Sequence, residues 1–211
     1  MNLINDLNKT NKIIIFIFIK ILKIILTKMV SEYKEIRLLG EGGFGQVFLV
    51  KKGDKEYALK KILKKDLQKK EIEIKKYQEE INILKIFNHQ YIVKLYDNYI
   101  DNEYMNIIME YGGDKNLKMF INEYKDKNLL IEENIIEKII KQICLGLKEI
   151  HKVKIIHRDL TPDNIFINEN NDIKIGDFGV SKILNSKKYT TTQVGKYKYF
   201  APEIIKGQKY D

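Results

Sequence analysis

From Tyr33 onward the apolar residues fall into a readable rhythm. In "EIRLLGEGGFGQVFLVKK", residues 35–52, apolar and polar positions alternate on both sides of a glycine cluster, which predicts two strands joined by a loop. "KEYALKKI" follows a turn at Gly53-Asp54 as a third short strand, and period two puts Ala58 and Lys60 on one of its faces. Ile74, Tyr77, Ile81 and Leu84 then recur at helical spacing, with Glu80 among them, where a carboxylate is costly unless paired. Lys60 is the expected partner; the neighbouring Glu79 points away from that stripe. "YMNIIMEYGG" reads as a strand running into a glycine-softened connection, and a long amphipathic helix follows from about Glu132 to His151. "IFI" and "IKIG" on either side of "NENND" predict a hairpin. The pattern as a whole is α+β, with a small strand-rich unit joined to a helical one at Gly112-Gly113.

The N-terminus breaks this rhythm with "IIIFIFIKILKIIL", residues 13–26, interrupted by Lys20 and Lys23. The run is shorter than the roughly 20 apolar residues of a spanning helix, and no small-residue cleavage site follows it. Residues 1–28 are therefore expected to form an apolar, basic leader outside the fold, with Met29 as the natural start and a membrane contact through 13–26 as the alternative. Composition adds a drift toward Lys, Ile and Asn, and 38 basic against 29 acidic side chains give a net charge of +9. The lysines are scattered over predicted helices and turns without interleaved aromatics, so a solvated surface is expected rather than a nucleic-acid groove. The single Cys144 cannot form an internal disulfide; it falls in the rhythm of Ile136, Ile139, Ile140, Ile143 and Leu147, so a buried thiol in a reducing, cytoplasmic setting is expected.

Against that drift a few residues stand out for their chemistry. Gly40, Gly42 and Gly45 have the spacing G-x-G-x-x-G, but Val47 to Val50 continue as a strand where a dinucleotide-binding fingerprint would open a helix. Such glycines let backbone N–H groups approach phosphate oxygens; a plain glycine-rich hairpin is the other reading. "IIHRDLTPDN", residues 155–164, takes one of the two arginines and one of the two prolines in the chain. The predicted hairpin after it would bring Asp159, Asn164 and Asp177 together, an oxygen set suited to Mg²⁺ with phosphate in its shell.

Gly40-x-Gly42-x-x-Gly45-x-Val47, Tyr57-Ala58-Leu59-Lys60, His157-Arg158-Asp159-Leu160, Asp177-Phe178-Gly179 and Ala201-Pro202-Glu203 stand in the order of the protein-kinase signature set. From Tyr33 to Asp211 the chain resembles eukaryotic protein kinases of the serine/threonine type, and "KQICLGLKEIH" and "NIFINENNDIKIGDFGVSKIL" resemble the NIMA-related group. The resemblance implies a two-lobed fold, with residues 33–111 as the small lobe and 112–211 as part of the helical lobe, which family members continue past this point. It implies ATP and Mg²⁺ as cofactors and a protein carrying serine or threonine as substrate; the alternatives are an ATP-binding scaffold that does little catalysis and a truncated kinase fragment with no function of its own. Gly40, Glu41, Gly42, Gly43, Phe44 and Gly45 would cover the phosphates, Lys60 would hold them while pairing with Glu80, and Asn164 and Asp177 would bind the metal. Asp159 would orient the substrate hydroxyl and accept its proton. Glu110 and Gly112 would present backbone groups to the adenine edge with Met109 behind, and Val47, Ala58, Leu117 and Phe166 would sandwich the ring. His157 would be a packing residue stacked with Phe178, Leu95 and Leu84.

Two further expectations come from the resemblance. Arg158 would pair with a phosphate on the following loop, placed there by an activating kinase or by autophosphorylation, with Thr192 as the acceptor and Thr190 and Thr191 as spacers. Thr161 stands where most serine/threonine kinases have a lysine that reaches the γ-phosphate, and Lys196 stands where they have a threonine bonded to it. Either Lys196 supplies the missing ammonium toward the phosphate and Asp159, or the exchange is drift and Lys196 faces solvent.

Overall fold

The computed structural model describes residues 14–21, 32–42, 45–64, 70–184 and 194–210. Helix α1 (14–21) exposes every one of its residues, and among the described residues no helix is long and apolar enough to cross a membrane. Strands β1 (Lys34–Gly42), β2 (Gly45–Lys52), β3 (Lys55–Leu63), β4 (Leu95–Ile100) and β5 (Tyr104–Glu110) form one antiparallel sheet in the order β1-β2-β3-β5-β4. The register sets Lys60 between Val47 on β2 and Ile107 on β5. Helix α2 (Lys70–Leu84) buries Tyr77, Ile81 and Leu84 as its periodicity predicts, while Ile74 stays at the exposed rim. Glu80 lies one position from Ile81 and is buried with it, so the turn that buries the apolar stripe also carries the carboxylate inward.

The second unit contains β6 (Lys115–Asn116), α3 (Leu117–Asp126), α4 (Glu133–Lys152), β7 (Ile155–Ile156), β8 (Ile165–Ile167), β9 (Ile173–Ile175), β10 (Lys182–Ile183) and α5 (Pro202–Ile205). β8 and β9 are the predicted hairpin, with β6 on the other side of β8, and β7 pairs with β10. Asn116 caps α3 by accepting a hydrogen bond from the Met119 N–H at 2.9 Å, a contact of about 1 kcal/mol. The two units share one core, in which Ile81, Leu84 and Phe87 meet Ile92, Ile150, Ile175 and Phe178. A parallel bridge between Ile92 and Ile175 closes the junction: Val93 N donates to Ile175 O, and Ile175 N donates to Tyr91 O, both at 2.9 Å.

Cys144 corrects one expectation, because its thiol is exposed. The inward face of α4 is Ile139, Gln142, Gly146 and Ile150, rotated from the most apolar stripe. Gln142 is drawn in because its amide serves the β8–β9 hairpin, donating to Asp172 Oδ1 at 2.9 Å and accepting from Ile173 N at 2.8 Å. Two satisfied hydrogen bonds are comparable with the burial of one more apolar side chain, and Ile136, Ile140 and Cys144 face outward.

Candidate active site

Lys60 is the centre of the site. Its ammonium donates to Glu80 Oε1 at 2.7 Å and to Asp177 Oδ1 at 3.2 Å, joining β3, α2 and the turn after β9. Lys60 and Glu80 are 5% and 4% exposed, so neither charge is solvated and each depends on the other. Burial works to lower the affinity of Lys60 for its proton, but the two carboxylates outweigh it and hold the ammonium charged. For Asp177 burial works upward and is outweighed by Lys60, which keeps the carboxyl below its ordinary range.

Asp159 and Asn164 form the second half. Asn164 Nδ2 donates to Asp159 Oδ2 at 2.8 Å and to Asp159 O at 2.9 Å, while Lys196 N donates to Asp159 Oδ1 at 3.2 Å. Both carboxylate oxygens are thereby oriented. Asn164 is joined to the Asp177 turn through Gly176 N, which donates to Asn164 O at 2.9 Å. Arg158 and Asp177 hold left-handed backbone, with φ of 65° and 56°, a conformation that persists in such residues only where surrounding contacts impose it. Here Arg158 Nε donates to Val180 O at 2.6 Å and Lys60 holds Asp177. His157 accepts from Asp159 N at Nδ1, 3.3 Å away, which leaves Nε2–H to donate to Gly176 O at 2.9 Å. Its ring packs on Phe178 at 4.9 Å, as expected, and burial pushes its pKa down. Phe87 packs on Phe178 from its own side, ring centroids 5.5 Å apart, a partner that its sequence context did not single out.

Around the connection, Gly112 is required by close approach: a Cβ there would lie 2.6 Å from Phe166 Cβ. That approach seats Phe166 against the backbone between the two units, where it was expected to face an adenine ring. The Glu110 N–H is engaged by Lys94 O at 2.8 Å. Val47, Met109 and Leu117 are partly buried and Ala58 is buried. Arg37 on β1 donates to Asp114 and, at 3.3 Å, to the Tyr111 hydroxyl, tying the glycine-bearing strand to the connection. A separate cavity of about 720 Å³, lined by Tyr111, Phe120, Tyr124, Leu129 and Asn170 among others, shares no residue with Lys60, Asp159, Asn164 or Asp177.

The donor set suits a nucleotide with a hard cation. A Cβ on Gly40 or Gly42 would meet nothing within 4 Å, so the β1–β2 end overhangs open space. With its NH₂ committed to Asp159, Asn164 has its amide oxygen to offer, and the Asp177 side chain keeps 31% exposure beside Lys60. Among the described residues no group of three or more His, Cys, Asp or Glu side chains converges. A cation here would take one carboxylate and one amide from the chain and complete its oxygen shell with phosphate and water. Gly43, Phe44 and Thr190 to Thr192 lie outside the described residues.

Thr161 and Lys196 depart from what was expected of them. Thr161 is 1% exposed, and its hydroxyl has no hydrogen-bond partner among the described residues. The Lys196 backbone, not its ammonium, reaches Asp159; the ammonium sits 2.6 Å from Asp163 Oδ2. With its backbone N–H on Asp159, Lys196 directs its side chain to the neighbouring Asp163 carboxylate. Gly195 allows this placement, since its φ is +104° and a Cβ would lie 2.3 Å from Arg158 O. Lys118 binds the other Asp163 oxygen at 3.1 Å. Burial works to raise the Asp163 pKa, but hydrogen bonds from Lys196 and Lys118 outweigh it and hold the carboxyl low. Neither Asp163 nor Lys118 was singled out from the sequence; the position of Asp163 between Pro162 and Asn164 was the available signal.

The family model for the protein kinase domain matches residues 33–211. The chain belongs to that family. It is 38% identical over 188 residues to a probable serine/threonine-protein kinase nek2 of Dictyostelium discoideum, covering 86% of this chain and 44% of that protein. It is 33% identical over 183 residues to the carbon catabolite-derepressing protein kinase of Saccharomyces cerevisiae, covering 86% and 28%. A third relative is the serine/threonine-protein kinase Nek10 of Mus musculus, 32% identical over 193 residues, covering 87% and 17%. Relatives named Nek agree with the NIMA-related resemblance. The kinase chain spans less than half the length of each of these relatives.

Proposed function

We propose that this chain transfers the γ-phosphoryl group of MgATP to serine or threonine hydroxyls of protein substrates, residues 33–111 and 112–211 forming the two sides of the cleft. The observation that carries the reading is the buried ammonium of Lys60 held by carboxylates from both units, Glu80 and Asp177, at 2.7 and 3.2 Å. MgATP, when bound, supplies the transferable group and the cation that offsets its charge. Lys60, kept rigid by Glu80, orients the phosphates, and Asn164 and Asp177 hold the metal. The glycine strand end at Gly40 and Gly42 would cover the phosphates. Asp159 points one oxygen at the substrate hydroxyl and accepts its proton, its orientation set by Asn164 Nδ2 and Lys196 N. Catalysis of this kind is mostly positioning and charge stabilisation, so loss of one holder costs orders of magnitude in rate.

Control belongs to the same reading: phosphorylation at Thr192 would be held by Arg158 through its planar fork, and the protein works in the cytoplasm. The experiment is transfer of labelled phosphate from ATP to a mixed protein substrate. Lys60→Met is expected to abolish it, and MgATP is expected to raise the melting temperature of the unmutated chain. Unchanged turnover in Lys60→Met refutes the assignment.

A further inference from the structure

Resting on the phosphoryl-transfer reading, the geometry points to Lys118 and Lys196 as specificity residues: they select protein segments that carry carboxylates beside the serine or threonine to be phosphorylated. Asp163 stands four residues from Asp159, on the turn Pro162–Asn164. Its Oδ1 is 3.1 Å from Lys118 Nζ and its Oδ2 is 2.6 Å from Lys196 Nζ. Two ammonium groups share that one carboxylate, and the second negative charge beside them is Asp159, which the Lys196 N–H reaches. The carboxylate side chain is 23% exposed, whereas Lys118 and Lys196 are 50% and 45% exposed, so a visiting chain meets the cations first.

The placement relative to the chemistry is fixed by backbone. Lys196 N is 3.2 Å from Asp159 Oδ1, so the residue that orients the proposed base also carries one of the two ammonium groups. Lys118 comes from the first turn of α3, whose start is set by the Asn116 cap. The two cations reach Asp163 from different elements, and Asp163 holds both beside the acceptor position. A basic segment approaching there would have to displace two ammonium groups to reach Asp163. A carboxylate instead adds to the outer side of cations that are already ordered, which lowers its entropic cost. Asp159 is the opposing charge, and its two oxygens are engaged by Asn164 and the Lys196 N–H.

The test uses two fluorescent peptides with the same central serine, one flanked by glutamates and one by lysines, measured for binding and for phosphorylation by the full chain. At near-physiological salt the acidic peptide is expected to bind about tenfold tighter, the product of two exposed ion pairs, and to show the higher kcat/KM. Lys118→Glu is expected to erase or invert that ratio. Lys118→Ala, the milder variant, is expected to reduce it about threefold. Lys141→Glu, the same charge change on the exposed side of α4, is expected to leave it alone. Equal binding, preference for the basic peptide, or equal effects of Lys118→Glu and Lys141→Glu would overturn the proposal. Acidic preference that depends on Lys118, with neither peptide phosphorylated, sustains the charge selection and refutes the phosphoryl-transfer reading instead.

Discussion

Replacing Lys60 and Glu80 singly and together tests the buried pair directly. At 2.7 Å and an effective dielectric of about 20 their attraction is about 6 kcal/mol before desolvation, which removes several kcal/mol per ion. Lys60→Met leaves Glu80 and Asp177 facing each other without a cation, and a loss of about 3–5 kcal/mol of stability is expected. Glu80→Leu is milder, about 1–3 kcal/mol, because Lys60 keeps Asp177 at 3.2 Å. In the double variant the remaining carboxylate is Asp177, whose 31% exposure lets it reach water. The double variant should therefore cost no more than Lys60→Met alone, a coupling of about 2 kcal/mol. Urea unfolding at pH 7.5 is the assay, and the pH is chosen from the shifts. The depressed Asp177 contributes stability above its unfolded value near 3.8 and loses it as pH falls through the lower folded value. The raised Lys60 contributes below 10.5 and loses it only above that. At pH 7.5 both contributions are whole. Additivity of the two single effects within about 0.5 kcal/mol would refute the coupling.

Four other outcomes follow from single contacts. Burial holds His157 below its ordinary 6.5, so the unfolded chain takes up the proton more readily and stability should fall as pH drops below 6.5, by at most about 1.4 kcal/mol per pH unit; His157→Gln should flatten that limb in acid-titrated melts. Thr161→Val removes a buried hydroxyl that has no partner among the described residues and should raise stability by about 1 kcal/mol; a loss of that size would mean that the hydroxyl is satisfied. Gly112→Ala drives a methyl against Phe166 and should cost about 1–3 kcal/mol while weakening nucleotide binding in calorimetry. The Cys144 thiol should react with a thiol reagent in native buffer at a rate within about tenfold of a free cysteine; protection until unfolding would contradict its exposure.

Periodicity alone was enough for the existence of several elements, although β1 buries none of its residues and β2 buries only Leu49 and Val50. The alternation of 35–52 became β1 and β2, the spacing of Tyr77, Ile81 and Leu84 became α2, and the runs around "NENND" became β8 and β9. Glu80 as the partner of Lys60 was also legible, because a carboxylate on an apolar stripe needs a counter-ion wherever the fold puts it. What periodicity could not supply was rotation about a helix axis and competition among partners. Cys144 sits on the apolar stripe of α4, yet the fold splits that stripe, burying Ile139 and leaving Ile136, Ile140 and Cys144 exposed, while Gln142 takes an inward position with hydrogen bonds to Asp172 and Ile173. The resemblance set Lys196 against Thr161 and offered its ammonium Asp159 or solvent, but the fold gives that ammonium Asp163 and gives Asp159 the backbone N–H. Residue types and spacing determined which groups had to be paired; only the tertiary structure decided with whom, because pairing is settled by distance and by the other claimants on each atom.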